Sequence, residues 1–321
     1  MAGFTTTAPD FLIRGEIWSQ DLKEQFDDSL MAVKYVDWME GFPDGDVFTI
    51  PSVGQAEVQN YVEDSAVQYR AMDTGEFQFS ITDYLQSGHY MTVKMQQDSM
   101  YAARVMASFV PKQHQAIMER VEADILNLAM SQTASNPNVI NNADHRWVGS
   151  GTNETIALRD FAKARYALQK ANVPMRNLVA IVDPSVGYAL DTLTNLVNVS
   201  HPNPLWADII SKGFVTGMHF MKNVYGFDVY VSNFLADANE TITETGGAAR
   251  TTAAGKANLF FANLGGDWLP FKGAWRQRPK VDSKFNMDRQ RDEYVTTARY
   301  GLKLYRPENM IVVLTDTDQI L

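Results

Sequence analysis

Apolar and polar positions follow different rhythms in successive parts of the chain. Over residues 47–94 they alternate. "VFTIP", "AVQYRAM" and "EFQFSITDY" each put every second side chain on one face, which is the period of a strand. Phe77 and Phe79 share a face, with Gln78 and Ser80 opposite, and "DTG" (Asp73 to Gly75) is a hairpin signal between the last two runs. A long two-stranded ribbon is marginal by itself, so it is expected to lie against something else, such as another chain. Over residues 112–133 the rhythm changes: Ile117, Val121, Ile125 and Leu128 recur at helical spacing. Such a helix is about 33 Å long at 1.5 Å per residue, with Pro111 expected in its first turn. Before these elements, residues 1–45 read as an extended arm with one or two short helices, including a weak helical pattern over 21–39. "FPDGD" then marks a turn.

From residue 155 the pattern is α/β. Thr155 is placed to cap a helix to about Asn172, with Leu158, Phe161, Ala162, Arg165 and Leu168 on one side. Pro174 ends it. "LVAIV" (178–182) is apolar throughout, as a strand buried on both faces would be. Asp183 then caps a helix with Pro184 in its first position, followed by Tyr188, Leu190, Leu193 and Leu196. A Pro-rich loop at 201–204 and a short helix near 207–212 lead to "NVYGFDVYVSNFL" (223–235). There Gly226 reads as a tight turn, and Phe227, Val229 and Val231 alternate with Asp228 and Tyr230. Residues 236–256 are small and polar, a loop or a loosely paired hairpin. "ANLFFANL" is a second buried strand, and two final strands are expected at 294–305 and 310–315.

Composition narrows the possible chemistry. The 321 residues suffice for about two domains, and 45% are apolar, enough for a sizeable core. There is no cysteine, which excludes disulfides, thiolate metal sites and cysteine nucleophiles and suits a reducing compartment. The N-terminus lacks a basic region followed by an apolar run, so no secretion signal is expected. No segment approaches the roughly 20 apolar residues of a membrane span. The net charge of −10 opposes wrapping nucleic acid by the overall field.

No motif for catalysis or cofactor binding stands up to inspection. "GKA" at Gly255 lacks the Ser or Thr and the first glycine of a phosphate loop, "GSGT" (149–152) follows no strand that the pattern predicts and precedes Glu154, and no G-x-S-x-G occurs. His89, His114, His145, His201 and His219 are scattered without ligand spacing. "DGD" (44–46) and "DTD" (316–318) fall short of a calcium loop. The remaining enzymatic reading is a cytosolic α+β hydrolase using Asp183 with Asp191, and its plain competitor is a helix cap and an exposed helix position. No cofactor, metal or catalytic residue is expected. Charge is uneven: residues 272–306 hold ten Lys or Arg against four Asp or Glu, net +6. This segment is either a pair of solvated strands or a basic patch, with Arg276, Arg278, Arg289 and Arg291, that meets an acidic patch of another copy.

"KGFVTGMHFMKNVYGFDVYVSNFL" (212–235) resembles the apolar-Gly-Phe-x-Val-x-x-Ser-Asn segment of the major capsid proteins of tailed double-stranded-DNA phages. In sequence order, "FQFSITDYLQSGHYMTVKMQQDSM", "LQKANVPMRNLVAIVDPSVGYAL" and "DEYVTTARYGLKLYRPENMIVVLTD" resemble the family's extended loop, axial domain and C-terminal peripheral strands. The resemblance covers roughly residues 45–315 and implies an α+β shell fold. Its parts would be an N-terminal arm (1–45), an extended β-ribbon loop (46–98), a peripheral domain with a long spine helix (99–154), an axial domain (155–265) and C-terminal peripheral strands (266–321). It also implies a non-enzymatic subunit that forms the pentamers and hexamers of an icosahedral head around packaged DNA. A separate scaffolding protein, a portal protein and, in some heads, a decoration protein would be its partners. Its place would be the virion capsid, after assembly in the host cytoplasm. Encapsulin compartments share the fold and form the alternative. Arg70, Phe77, Phe79, Arg276, Arg278, Arg289 and Arg291 are expected at contacts between subunits, and Gly226 as a backbone requirement. Some relatives join a ribbon lysine to a neighbour's asparagine. Residues 52–93 hold no lysine and only Arg70 as a Lys or Arg, so non-covalent shells are expected, with Lys94 the nearest amine.

Overall fold

The computed structural model describes residues 30–39, 47–53, 74–98, 102–129, 138–192, 220–252 and 255–316, with a few positions between 58 and 66. After a 3-10 turn at Ala32–Tyr35, the chain forms β1 (Val36–Met39), β2 (Val47–Val53), β3 (Thr74–Ser80) and β4 (Asp83–Thr92). Helices α1 (Val93–Asp98) and α2 (Ala102–Asn127) follow, then short strands β5 (Val139–Ile140), β6 (Ala143–Asp144) and β7 (Arg146–Val148). Next come α3 (Leu158–Lys170), β8 (Leu178–Val182), α4 (Pro184–Thr192), β9 (Phe220–Val224) and β10 (Phe227–Val231). The chain continues through β11 (Thr241–Thr243), β12 (Ala249–Thr251), β13 (Gly255–Ala262), β14 (Phe271–Asn286), β15 (Arg291–Leu304) and β16 (Ile311–Asp316).

Two sheets organise these elements. One has six strands in the order β7-β16-β13-β8-β10-β9 and the other four in the order β1-β14-β15-β4. The six-stranded sheet is covered on both faces, which explains its uninterrupted apolar strands. Leu178, Ala180 and Val182 face a cluster with Phe161, Leu168, Val186 and Leu190 of α3 and α4. Val179 and Ile181 face a second cluster with Val121 and Ile125 of α2 and Phe271, Tyr300 and Leu304 of the four-stranded sheet. Full burial of such a side chain contributes about 1.5–3 kcal/mol. β13 pairs with β16 and β16 with β7, so the six-stranded sheet also takes in strands from outside residues 155–265.

Several local expectations are corrected. Of the helical pattern over 21–39, residues 21–29 lie outside the described residues, and residues 32–39 form a 3-10 turn and then β1, which pairs in parallel with Phe271–Ala274. Trp38 and Val36 sit against the sheet, and that packing overrides weak helix propensity. Helix α2 begins ten residues before Lys112 and carries Pro111 in its interior, where proline removes one backbone bond. It ends at Asn127, short of residue 133. Helix α3 begins at Leu158, and the Thr155 hydroxyl bonds back to the Thr152 carbonyl. The cap is Asp160, whose carboxylate accepts from Ala157 N (2.8 Å), Ser150 N (3.0 Å) and Trp147 Nε1 (3.2 Å). Its buried side is Phe161, Ala164 and Leu168; Ala162 and Arg165 are exposed.

Candidate functional site: surfaces for self-assembly

The base of the ribbon is fastened to its own chain. β2 pairs antiparallel with β3, Val47 opposite Ser80 through Val53 opposite Thr74. Phe79 is fully buried with Ile81 and Ala274, so it is unavailable to another subunit. Phe77 stands edge-on to Tyr305 at 4.9 Å, and Lys303 lies over its ring at 4.9 Å while donating to the Gln78 carbonyl at 2.6 Å. Gly301 permits this close crossing, because a Cβ there would sit 2.4 Å from the Ser80 carbonyl oxygen. The expectation that both phenylalanines meet a neighbour is therefore corrected for Phe79; Phe77 is half-buried and already stacked within the chain. The opposite ribbon face, with Val47, Thr49, Pro51, Glu76, Gln78 and Ser80, is exposed. Arg70, "AVQYRAM" and the start of the "DTG" turn lie outside the described residues.

The basic segment 272–306 is the hairpin β14–β15, paired from Phe271–Leu304 to Asn286–Arg291. It is not a uniform cationic patch. Lys272 pairs with Asp267 (2.6 Å) and Asp37 (3.2 Å), Lys280 with Asp282 (2.9 Å), and Arg306 with Glu308 (3.2 Å). Arg291 bonds Glu293 at 2.6 Å and stacks on Tyr90 at 4.4 Å, and it holds the Glu293 carboxyl below the usual range. Arg278, Lys284 and Arg289 are exposed toward the tip, beside exposed Phe285 and Met287; Arg276 is half-buried nearer the base. Tyr84 and Tyr90 on β4 and Val295 on β15 are exposed on the four-stranded sheet. Thr296, Ala298 and Tyr300 alternate with Val295 and are buried.

Gly226 closes the hairpin of β9 and β10, with Val224 paired to Phe227. Tyr225 has φ +51° and Gly226 φ +88°, the sign pair of a two-residue type I′ turn. A Cβ at 226 would find its nearest neighbour, Leu178, at 3.9 Å. The requirement for glycine is thus a dihedral one, without a steric clash. Asn223 braces the turn, donating to Asp228 Oδ1 at 2.7 Å and accepting from Gly226 N at 3.2 Å.

The polar clusters in the fold are committed to structure. Asp183 Oδ2 accepts from Ser185 N (2.9 Å) and Ser185 Oγ (2.5 Å), a cap on α4. The Asp191 side chain lies outside the described residues. A cleft of about 380 Å³ between α3 and the β11–β12 hairpin is lined by Trp147, Arg159, Lys163, Glu244 and Arg250. Lys163 pairs there with Glu244 (2.5 Å) and Asp144 (3.1 Å). Among the described residues no group of His, Asp and Glu is arranged to hold a metal ion, and no helix is long and apolar enough to cross a membrane. Sequence reasoning missed several fully buried polar side chains, among them Gln113 and Glu122 on α2, and Arg146. For Glu122 a signal existed. Its neighbours at core spacing, Ile125, Leu126 and Ala129, are all buried, so it interrupts an apolar face.

A family model described as phage capsid protein matches residues 75–313. No curated protein gives a significant sequence match. Among solved structures, the capsid of cyanophage Pam1 is similar, with a TM-score of 0.67, 13% identity and coverage of 99% of this chain and 100% of that one. The capsid of cyanophage P-SCSP1u has a TM-score of 0.66 at 17% identity, covering 95% and 93%. A structure from Mycobacterium phage Che8 has a TM-score of 0.64 at 17% identity, covering 95% and 97%. With the family model spanning most of the sequence and the fold shared end to end, this chain belongs to the phage capsid protein family and is a structural subunit of a phage head.

Proposed function

We propose that the chain is the major head subunit, forming the pentamers and hexamers of an icosahedral shell that encloses packaged DNA without reading its sequence. The observation that carries this is the ribbon, fastened at its base by Phe79 and Phe77 while the other face of β2–β3 stays exposed. A surface of this kind suits head-to-tail contact with a neighbouring copy, and a heterologous contact of that kind closes into rings. In this reading α2 lies in the peripheral domain (99–154 and 266–321), and α3, β8, α4, β9 and β10 lie in the axial domain (155–265). Arg276, Arg278, Arg289 and Arg291 lie at contacts between copies, as does Arg70 on the ribbon. A separate scaffolding protein directs assembly in the host cytoplasm, a portal protein occupies one vertex, and a decoration protein is an optional outer partner. An encapsulin compartment is not favoured. Co-expression with the scaffolding protein followed by electron microscopy should show closed shells; a product that stays monomeric under all conditions rules the proposal out.

The shell is held without covalent links between subunits. Joining a lysine to a neighbour requires an amine on the ribbon brought neutral beside a carboxylate, and residues 52–93 have none. Lys94 lies in the first turn of α1, past the ribbon base, and is exposed. Particles boiled in detergent should run as one band near 36.0 kDa. A ladder of larger species would contradict this and point first to Lys94.

A further inference from the structure

Glu122 occupies the middle of α2 and is fully buried. Its carboxylate accepts three successive backbone N–H groups from a segment some ninety residues away: Met31 N at 3.0 Å and Ala32 N at 2.7 Å on Oε1, and Val33 N at 3.2 Å on Oε2. These are the otherwise unpaired donors that open the 3-10 turn Ala32–Tyr35. A buried carboxylate is tolerable only when hydrogen bonds replace its water, so the helix and this segment depend on each other.

The segment that Glu122 holds touches both sheets. Tyr35 stands edge-on to Phe261 of the six-stranded sheet at 5.1 Å. Asp37 pairs with Lys272, and β1 extends the four-stranded sheet alongside Phe271–Ala274. Trp38 stacks on Trp275 at 4.8 Å and donates its indole N–H to the Val33 carbonyl at 3.1 Å. Gly273 makes room for it, since a Cβ there would come within 2.7 Å of the Trp38 ring. The two sheets share no strand pairing. Residues 31–39 therefore form a strap across α2 and both sheets, with Glu122 as its anchor.

We propose that Glu122 is a positioning residue for shell assembly: by anchoring the strap it fixes the angle between the two sheets, and that angle sets the curvature at which copies join. The curvature part rests on the shell reading above; the anchoring part does not. Glu122→Gln tests both. Glutamine keeps the shape but offers one acceptor oxygen, and its NH₂ group meets a backbone donor. In the unassembled chain the amides of Met31–Val33 should exchange about ten- to a hundredfold faster, while β8 and β13 stay protected. With the scaffolding protein, shells should form in more than one diameter where the unmodified chain gives one. Trp38→Phe, which removes the indole bond to Val33 and part of the packing on Trp275 and Gly273, should act in the same direction more weakly and serves if Glu122→Gln does not fold. Unchanged exchange at Met31–Val33 overturns the anchor. Faster exchange with shells of a single unchanged diameter overturns the control of curvature. Failure of the unmodified chain to assemble counts against the shell reading, and the exchange measurement still decides the anchor.

Discussion

The two sheets solve the burial problem differently. In the six-stranded sheet every residue of β8 and β16 is buried. Even its interior polar group is fully used: Asn258 accepts from Asp183 N and donates to the Val313 carbonyl (3.0 Å) and Thr315 Oγ1 (2.8 Å). The four-stranded sheet is covered by α2 on one face, and Tyr84, Tyr90 and Val295 on that sheet remain exposed. Directional bonds help hold it to the helix. Thr296 Oγ1 donates to Gln113 Oε1 (2.7 Å), Gln113 Nε2 donates to the Tyr294 carbonyl (3.2 Å), and Tyr300 OH donates to Asp124 Oδ2 (2.6 Å). Burial and the Asp124 carboxylate push the Tyr300 hydroxyl well above its ordinary range, keeping it a donor. The inner strands of the first sheet are covered within one chain. The second leaves apolar side chains exposed; in the proposed shell they meet neighbours, in obligate contacts that bury on the order of 2,000–5,000 Å².

The largest test of this contrast lies in the closed core. Phe260 is fully buried and edge-to-face with Phe161 (5.2 Å) and Phe227 (5.4 Å). Phe260→Ala should cost about 3–5 kcal/mol, a large part of a typical total of about 5–15 kcal/mol, read as a fall in the urea midpoint. Tyr84→Ser on the open sheet should change stability by no more than about 0.5 kcal/mol yet slow assembly. Equal costs for the two would erase the distinction.

Next in size is the turn at the edge of the six-stranded sheet. Gly226→Val forces a branched side chain to positive φ and should cost about 1–2 kcal/mol. Because there is space for a Cβ, Gly226→Asn should cost much less, as asparagine tolerates this region. Similar losses for both would show that space, not dihedral angle, is limiting.

Acid comes third. Burial pushes the Asp144 carboxyl up, but bonds from Thr245 and Lys163 outweigh it and hold the group below the usual range. Asp267 is lowered by its bond from Lys272. A carboxyl depressed in the folded state adds stability above its unfolded value of about 3.9, and that stability is lost as pH falls through the lower folded value. Urea midpoints should therefore drop on acidification below about pH 4, and Thr245→Val should shrink the drop. A midpoint that stays flat there would remove these carboxyls from the account.

The smallest expected effect is that of salt on the hairpin tip. Arg278, Lys284 and Arg289 are exposed, so assembly should slow as the Debye length falls from about 10 Å at 0.1 M to 3 Å at 1 M. Rates indifferent to salt would assign the tip to packing alone.

Elements whose pattern is set by local burial were readable in the chain. "LVAIV" and "ANLFFANL" announced strands covered on both sides, and Gly226 marked a turn at positive φ. Pro174 was expected to end α3, but the helix stops at Lys170, closed by Asn172 at φ +59° with Val173 N bonded to the Leu168 carbonyl. Boundaries set by distant partners were not. Pro111 suggested a helix start, yet α2 runs through it. Thr155 was a plausible cap, but Asp160 does that work because Trp147 and Ser150 converge on it. The basic count over 272–306 was visible, while its partners Asp37, Asp267 and Tyr90 depended on the fold.

By itself the sequence determined the periodicities, the absence of cysteine, the lack of a lysine between residues 52 and 93, and the ordered segments that resemble phage capsid proteins. Those are properties of single positions and near neighbours, where side-chain period and backbone preference act directly. Only the tertiary structure decided that β1 joins β14 across more than two hundred residues, that β16 lies between β7 and β13 in the six-stranded sheet, and that Phe79 is spent inside its own chain. It also decided that Glu122, which by residue type belongs in water, holds the strap. The physical reason is that a buried carboxylate is stable only where hydrogen-bond donors replace its water, here three backbone N–H groups from a distant segment, and no local pattern specifies that convergence.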